Sequence, residues 1–220
     1  AEDAAQHGLQ LLQHLLAGTA TAAQVLTPTP HGPMLVAGAS GVASLAELEP
    51  RHLQMLARAL QSLALTHDVV LLDCAAGLSP QAMITVLAAQ HVVLVTNPEI
   101  AALTDAYAVV KCLARQPDRP DVHLAVNRVA TSGVGQATFE RLADVSRRFA
   151  GCTLHYLGEV PEDPAVGHRR LGQPPLLLGQ PQCSTARAIR SMADRVESML
   201  AEGPLARGVE ARMLAQIRRW

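Results

Sequence analysis

Short aliphatic runs alternate with longer amphipathic stretches along this 220-residue chain. The predicted strands are 34–38, 69–73, 92–96, 122–127 and 153–158, and the predicted helices are 51–65, 79–90, 101–115, 135–150 and 183–200. Runs of Val, Leu and Ala as short as these suit strands that are buried on both faces of a parallel sheet. The alternation therefore predicts an α/β fold of three layers, a mostly parallel sheet with helices on both faces.

The second run, VVLLDCAAGL at 69–78, raises the question of why a buried strand ends on a carboxylate. Asp73 could cap a turn or a helix, or it could bind the magnesium ion of a nucleotide, and this stretch alone leaves both open. In open α/β sheets, ligands bind beyond the carboxyl ends of the strands. Asn97 and Asn127 also lie at or just past such ends. The polar strand ends predict a shared crevice.

Composition excludes several classes of function. The net charge of −1 gives no global attraction to nucleic acid, so we expect no direct nucleic-acid binding. No apolar run approaches the roughly 20 residues that a membrane span needs. The four cysteines are too far apart for a CxxC zinc or redox site, which predicts reduced thiols in a cytoplasmic protein.

Five stretches together resemble the MinD/ParA-type P-loop ATPases, and most of all their FlhG branch of flagellar-number regulators. The stretches are VVLLDCAAGL at 69–78, VVLVTNPEIAALTDAYAVVK at 92–111, LAVNRV at 124–129, YLGEVPEDPAV at 156–166 and STARAIRSMADRV at 184–196. Their order and spacing fit the family, and the second block is the most specific. The resemblance implies a P-loop NTPase fold, Rossmann-like and incomplete at the N-terminus.

The resemblance also implies the catalytic residues. Asp73 would be the Walker B acid, which holds magnesium through a water molecule, as a hard cation beside phosphate oxygens requires. Gly77 would lie in the switch loop that follows, where a residue without a Cβ allows close approach to the γ-phosphate or the attacking water. The expected cofactors are ATP and magnesium.

The base pocket follows from the same resemblance. Asn127 would read the adenine edge, because its side-chain amide supplies both a donor and an acceptor. Arg128 would pack over the base, or it is a simple surface arginine. The backbone around three residues would complete the pocket: Pro161, Glu162 and Asp163.

The phosphate loop of the family, GKGGxGK[ST], is missing from the sequence. Lys111 is the only lysine and lies inside a predicted helix, and the nearest glycine-rich segment, GASGVAS at 38–44, contains none. We therefore expect no ATP hydrolysis by this chain, since phosphoryl transfer depends on charge placed around the γ-phosphate. One explanation is a fragment that lacks an N-terminal βαβ unit, in keeping with a start at Ala1 rather than methionine. The other is a natural relative that has lost the loop.

The last residues predict an amphipathic helix after Gly203-Pro204. The apolar face would present Val209, Met213, Ile217 and Trp220, with Arg212 and Arg219 on its flank. Such a helix suits a membrane surface, and MinD-like proteins end in one; the alternative is a helix packed on the protein itself. The predicted domains are therefore a partial nucleotide-binding domain at 1–202 and a tail at 203–220.

The resemblance implies an ATP-dependent switch that regulates flagellar number or placement. Its implied partners are a second copy in a nucleotide-dependent homodimer, a flagellar GTPase or regulator, and the inner face of the cytoplasmic membrane. The alternatives are a non-catalytic adaptor with a degenerate nucleotide pocket, and a division-site or partitioning ATPase.

Overall fold

The computed structural model describes residues 12–38, 49–74, 76–202 and 208–218. The chain forms two compact units. The first is drawn from residues 1–89 and 205–220, and the second from residues 90–204.

The second unit is built on a parallel sheet of three strands in the order β3-β4-β5. These strands are β3 (His91–Thr96), β4 (Asp121–Val129) and β5 (Leu154–Pro161). The helices are α4 (Ile100–Ala114), α5 (Val134–Ala150), α6 (Pro164–Gly167), α7 (Leu176–Gly179) and α8 (Ser184–Glu202). The strand and helix predictions for this part of the chain are confirmed, with β4 and β5 longer at their carboxyl ends than predicted.

Helices cover both faces of this sheet, as β5 shows most directly. Gly158 and Glu159 are neighbours on the strand and therefore face opposite sides. A methyl group at Gly158 would lie 3.0 Å from Cγ of Met192 on α8, whereas one at Gly135 of α5 would lie 2.6 Å from Cβ of Glu159. Glycine thus allows close packing of the helices, and the predicted three-layer α/β fold is confirmed.

Burial follows the position of each strand in the sheet. β4 pairs on both sides, and its Val122, Leu124 and Val126 are fully buried. β3 pairs only with β4 among the described strands, and its Val93 and Val95 are 47% and 59% exposed. The outer side of β3 therefore keeps free backbone groups that another strand would pair with.

The first unit is mostly helical. Its elements are α1 (Leu12–Leu16), β1 (Leu26–Pro28), β2 (Met34–Val36), α2 (Pro50–Thr66), α3 (Pro80–Ala88) and α9 (Val209–Ile217). Its main core joins the last three helices through Leu53, Ala57, Leu60, Ile84, Ala88 and Met213.

Two strand predictions fail in this unit. The predicted strand at 34–38 forms the shorter β2, which pairs antiparallel with β1 rather than within a parallel sheet. The predicted strand at 69–73 has no regular secondary structure, and Val69 and Leu71 are 49% and 87% exposed. A strand needs a backbone ladder as well as suitable side chains. The other described strands of this unit, β1 and β2, pair with each other.

Three histidines line up across the second unit near the amino ends of its strands. The ring centroids of His91 and His123 are 5.5 Å apart, and those of His123 and His155 are 5.2 Å apart. Oδ2 of Asp121 lies 3.7 Å from Nδ1 of His91. Burial lowers the pKa of His123, the neighbouring His155 and His91 lower it further, and Asp121 opposes them. The surroundings of His123 therefore favour its neutral form.

The histidine cluster predicts a loss of stability in mild acid. The pKa of His123 is lowered on folding, so the stabilisation is fully present above the unfolded value of about 6.5 and is lost as the pH falls below it. Urea unfolding between pH 8 and pH 5 should show a falling free energy of unfolding. His123→Gln should flatten that decline, whereas His168→Gln, in an exposed loop of the same unit, should leave it intact. Equal pH dependence in the two variants would contradict this account.

Candidate functional site

A hollow of about 320 Å³ opens at the carboxyl ends of β3, β4 and β5. It is lined by Pro98, Glu99, Arg128, Ala130, Thr131, Val134 and Glu162. Parallel strands bring their carboxyl ends to one edge of the sheet, where open α/β folds bind ligands. The volume lies at the lower end of the roughly 300–1,000 Å³ of small-molecule sites. Of the predicted site residues, Arg128 and Glu162 line this hollow directly.

Arg128 holds an unusual backbone conformation at the end of β4. Its φ is 57°, in the left-handed region, and no other non-glycine residue in the described ranges has a positive φ. The register of β4 against β5 shifts between Val126 and Val129, so Asn127 and Arg128 lie in this irregularity. A left-handed arginine is strained, and such strain concentrates at ligand sites. Here it accompanies an ion pair across the hollow, with Nη2 of Arg128 3.4 Å from Oε1 of Glu162.

Asn127 lies next to Arg128 but is not among the residues that line the hollow. The residue is half-buried, and its side chain makes no hydrogen bond to the part of the chain that the structure describes. Both the donor and the acceptor of its amide are therefore available to a ligand.

The loop after β5 is fixed on two sides. The backbone N–H of Glu162 donates to O of Val129 at 3.0 Å, which joins the loop to the end of β4. Oγ1 of Thr185 donates to O of Pro161 at 3.0 Å, which joins it to the first turn of α8. The backbone of Pro161 and Glu162 is thus held at the edge of the hollow by groups from β4 and α8.

The side chain of Asp163 is directed to the helices that follow the loop. It accepts hydrogen bonds from the backbone N–H of Ala165 at 2.9 Å and of Ser184 at 2.8 Å, and from the Ser184 hydroxyl. The hydrogen bond from Ser184 is the main cause that lowers the pKa of Asp163, and the Ala165 amide adds to it. Sequence reasoning missed this role, although Asp163-Pro164 is a typical helix start.

Glu99 completes the polar lining on the β3 side. It precedes α4 and makes no side-chain cap, so its carboxylate is not used by the helix. Thr96 and Asn97 precede it at the end of β3, but neither lines the hollow, so Asn97 is not part of the predicted crevice. The hollow thus joins one guanidinium, on Arg128, to two carboxylates, on Glu99 and Glu162.

Asp73 and Gly77 belong to the first unit. Asp73 is exposed and follows a segment that is not a strand. Gly77 has a φ of 101°, which side chains rarely adopt, so a glycine is needed at this turn. Ser79 then caps α3, with its Oγ accepting from the backbone N–H of Ala82 at 3.3 Å.

Within the described ranges, no group of three or more His, Cys, Asp or Glu residues could hold a metal ion by itself. A magnesium ion at Asp73 would therefore take most of its ligands from phosphate and water. Magnesium commonly binds in this way, through one or two carboxylates together with substrate phosphates. The single exposed carboxylate fits that chemistry.

The apolar face of the last helix is packed within the first unit. Met213 is fully buried among residues of α2 and α3, and Val209 and Ile217 pack against the same core. Nε of Arg212 donates to O of Ala88 at 3.1 Å. The predicted tail residues Arg219 and Trp220 lie outside the described residues. No helix in the described ranges is long and apolar enough to cross a bilayer.

A second hollow, of about 340 Å³, lies along the outer edge of β5 between α5 and α8. Nη1 of Arg195 donates to O of Leu157 at 2.8 Å there, and so satisfies a carbonyl that an edge strand leaves unpaired. This hollow flanks the strand rather than opening over the strand ends. We therefore assign the candidate site to the first hollow.

No protein-family model matches the sequence. The chain is 30% identical to the antiactivator FleN of Pseudomonas aeruginosa over 187 residues, which cover 85% of this chain and 67% of FleN. It is 37% identical over 94 residues to the flagellum site-determining protein YlxH of Helicobacter pylori, covering 42% of this chain and 31% of YlxH. The cell division ATPase MinD of Pyrococcus furiosus superposes with a TM-score of 0.67 and 26% identity, covering 86% of this chain and 76% of that one.

The chain therefore spans about two thirds of the length of FleN and about a third of that of YlxH.

The strain at Arg128 can be measured by two substitutions. Both Arg128→Gly and Arg128→Ala remove the ion pair with Glu162, but only alanine keeps a Cβ in the left-handed region. We expect the glycine variant to be the more stable by about 1 kcal/mol in urea unfolding. At Arg115, whose φ is −76°, the order should reverse, because glycine there only adds chain entropy. The same order at both positions would contradict the strain.

Proposed function

The chain belongs to the MinD/ParA-type family of P-loop ATPases, and we propose that it is part of an ATP-dependent switch that regulates the number or placement of flagella. The observation that carries this proposal is the polar hollow at the carboxyl ends of β3, β4 and β5. The flagellar role is supported by the similarity to YlxH, a flagellum site-determining protein. The likeness to a cell division ATPase supports a division-site role as the alternative.

The hollow suits the base of an adenine nucleotide. The amide of Asn127 supplies the donor and acceptor that the adenine edge requires. The guanidinium of Arg128 is exposed and can stack over the base, because arginine pairs well with π-systems. The backbone of the loop at 161–163 closes the pocket on the β5 side. A second role for Arg128 is to hold Glu162 at the edge of the hollow.

The phosphates and magnesium are the part of the ligand for which the chain supplies least. Asp73 would hold magnesium through water, and the ion would neutralise charge on the phosphates. Gly77 would allow the γ-phosphate to approach the backbone closely. The sequence contains no glycine-rich loop with lysine to cradle the phosphates. We therefore propose weak nucleotide binding and no hydrolysis by these 220 residues.

An open side of β3 among the described strands supports the proposal that a strand carrying such a loop pairs there. Parallel strands of P-loop proteins carry the phosphate loop at a carboxyl end, and β3 has one side open to a further strand among the described residues. The contrasting proposal is an adaptor with a degenerate pocket, which the missing loop favours. Nucleotide binding separates the two.

Adenine recognition predicts a selective loss on substitution of Asn127. Isothermal titration of the chain with ATP and magnesium should show weak binding, and Asn127→Ala should weaken it about tenfold, the loss of one or two hydrogen bonds. GTP should bind more weakly than ATP. Gln180→Ala, in an exposed turn, is the control and should bind normally. No binding of ATP by the unsubstituted chain would favour the adaptor.

We further propose that α9 is the element through which a nucleotide-dependent homodimer attaches to the membrane. Its apolar residues are packed on α2 and α3, so attachment requires this helix to leave the core of the first unit. The ion pair of α9 with α2 is weak, because Oε1 of Glu210 lies 3.6 Å from Nε of Arg58 and both side chains are partly exposed to solvent. One such helix binds lipid weakly, and two in a dimer bind far more strongly.

Vesicle sedimentation tests the membrane proposal. The chain should sediment weakly with anionic vesicles, and Ile84→Ala should sediment more, because removing this buried side chain of α3 weakens the packing of α9 by about 2–5 kcal/mol and leaves the apolar face of α9 intact. A chain that ends at residue 202 should not sediment. Equal sedimentation of all three would remove α9 from membrane binding.

A further inference from the structure

Asp163 is the residue that follows Glu162, which lines the candidate site. Its two oxygens accept from the backbone N–H groups of Ala165, Ser184 and Thr185, at 2.9, 2.8 and 3.5 Å, and from the hydroxyl of Ser184. These donors belong to the first turns of α6 and α8, and Ser184 at the start of α8 is 21 residues from Asp163 in the chain. One carboxylate therefore ties the loop after β5 to two later elements.

The next residue toward the strand, Glu162, faces the hollow. Its N–H is bound to O of Val129, and its carboxylate pairs with Arg128. Pro161, one residue further, is held by the hydroxyl of Thr185. In this short loop, Glu162 lines the hollow, whereas Pro161 and Asp163 are hydrogen-bonded to the first turns of the helices that follow. We expect a shift of the anchors to move the lining residue, because Glu162 is covalently bonded to both anchored residues through planar peptide groups that leave only two soft dihedral angles per residue.

We propose that Asp163 is a positioning residue, which holds α8 against the loop so that Glu162 and Arg128 keep their places at the hollow. This inference rests on the proposed function for the identity of the ligand, an adenine nucleotide. The geometric part stands apart from it, because Glu162 and Arg128 are linked to Asp163 through the chain whether or not nucleotide binds.

A charged carboxylate is required for this arrangement. An ionised aspartate only accepts hydrogen bonds and has room for several donors, whereas asparagine replaces one of the two oxygens with an NH₂ group. The negative charge also lies at the N-terminus of the 19-residue α8, where the helix dipole favours an anion. Asparagine at position 163 has one oxygen for the donors of both helices and no negative charge, so it cannot keep the full set from Ala165, Ser184 and Thr185.

An aspartate that only capped a helix would make the same hydrogen bonds, so the test must also measure a change at the residues that line the hollow. The measurement is amide hydrogen exchange by NMR on the full chain, with the Arg128 guanidinium signals as a second reporter. Asp163→Asn should raise exchange at Ser184 and also at Glu162, in each case about tenfold, which corresponds to a lost hydrogen bond to a charged group. The Arg128 signals should change with them. Asp118→Asn, an exposed aspartate in the loop before β4, is the matched control.

Thr185→Val gives a second route to the same outcome. It preserves shape and removes only the donor to Pro161, so it should raise exchange at Glu162 while leaving Ser184 protected. This variant keeps the test decisive if Asp163→Asn fails to fold. Increased exchange at Ser184 alone, with Glu162 and Arg128 unchanged, would overturn the proposal and leave Asp163 as a helix cap.

Titration with ATP and magnesium measures whether Asp163 affects nucleotide binding. Asp163→Asn should weaken binding about tenfold, and Asp163→Glu should restore part of it. Normal affinity in Asp163→Asn would contradict the positioning role. If the unsubstituted chain binds no ATP, the proposed function fails, while the exchange data at Glu162 and the Arg128 signals still decide the role of Asp163.

Discussion

The second unit depends on the parallel backbone ladders that β4 makes with β3 and β5. These ladders align six residues of β3 with β4 and bring the carboxyl ends of three strands to one edge. The interruption of the second ladder between Val126 and Val129 then sets Arg128 in the left-handed region and directs the end of β4 toward Glu162. The site is thus a consequence of strand pairing and of one local departure from it. On the β5 side of the site, hydrogen bonds from the first turn of α8 hold the loop at residues 161–163.

The same requirement for a paired backbone explains why residues 69–73 of the first unit do not form a strand. The residues 69–73 have the composition of a buried strand but lack a ladder, so aliphatic side chains such as Leu71 remain in solvent. β3 shows the complementary feature, a strand with one open side and exposed valines. Apolar strand edges of this kind are costly in water and favour a further strand.

Local patterns predicted the second unit well because its strands and helices are specified by their own residues. Runs such as 92–96 and 122–127 and the amphipathic repeat of 135–150 needed no distant partner to be recognised. Of the polar strand-end residues used to predict a crevice, Asn97 and Asn127 do not line the hollow, and Asp73 belongs to the first unit. The two predicted residues that do line it, Arg128 and Glu162, came from the family resemblance. Sequence reasoning missed the three-way bonding of Asp163, because its donors at Ser184 and Thr185 are brought near only by the fold. The packing of α9 could not be predicted from the sequence for the same reason, since the residues of α2 and α3 that it contacts lie more than 100 residues earlier.

The central claim is that an adenine nucleotide occupies the hollow at the ends of β3, β4 and β5. Chemical-shift mapping of the isotope-labelled chain with increasing ATP and magnesium tests it most directly. The account predicts saturable shifts confined mainly to the amides of residues 97–99, 127–131 and 161–163, with smaller shifts from AMP. Shifts that centre on the groove between α5 and α8, or none at millimolar ATP, would contradict it.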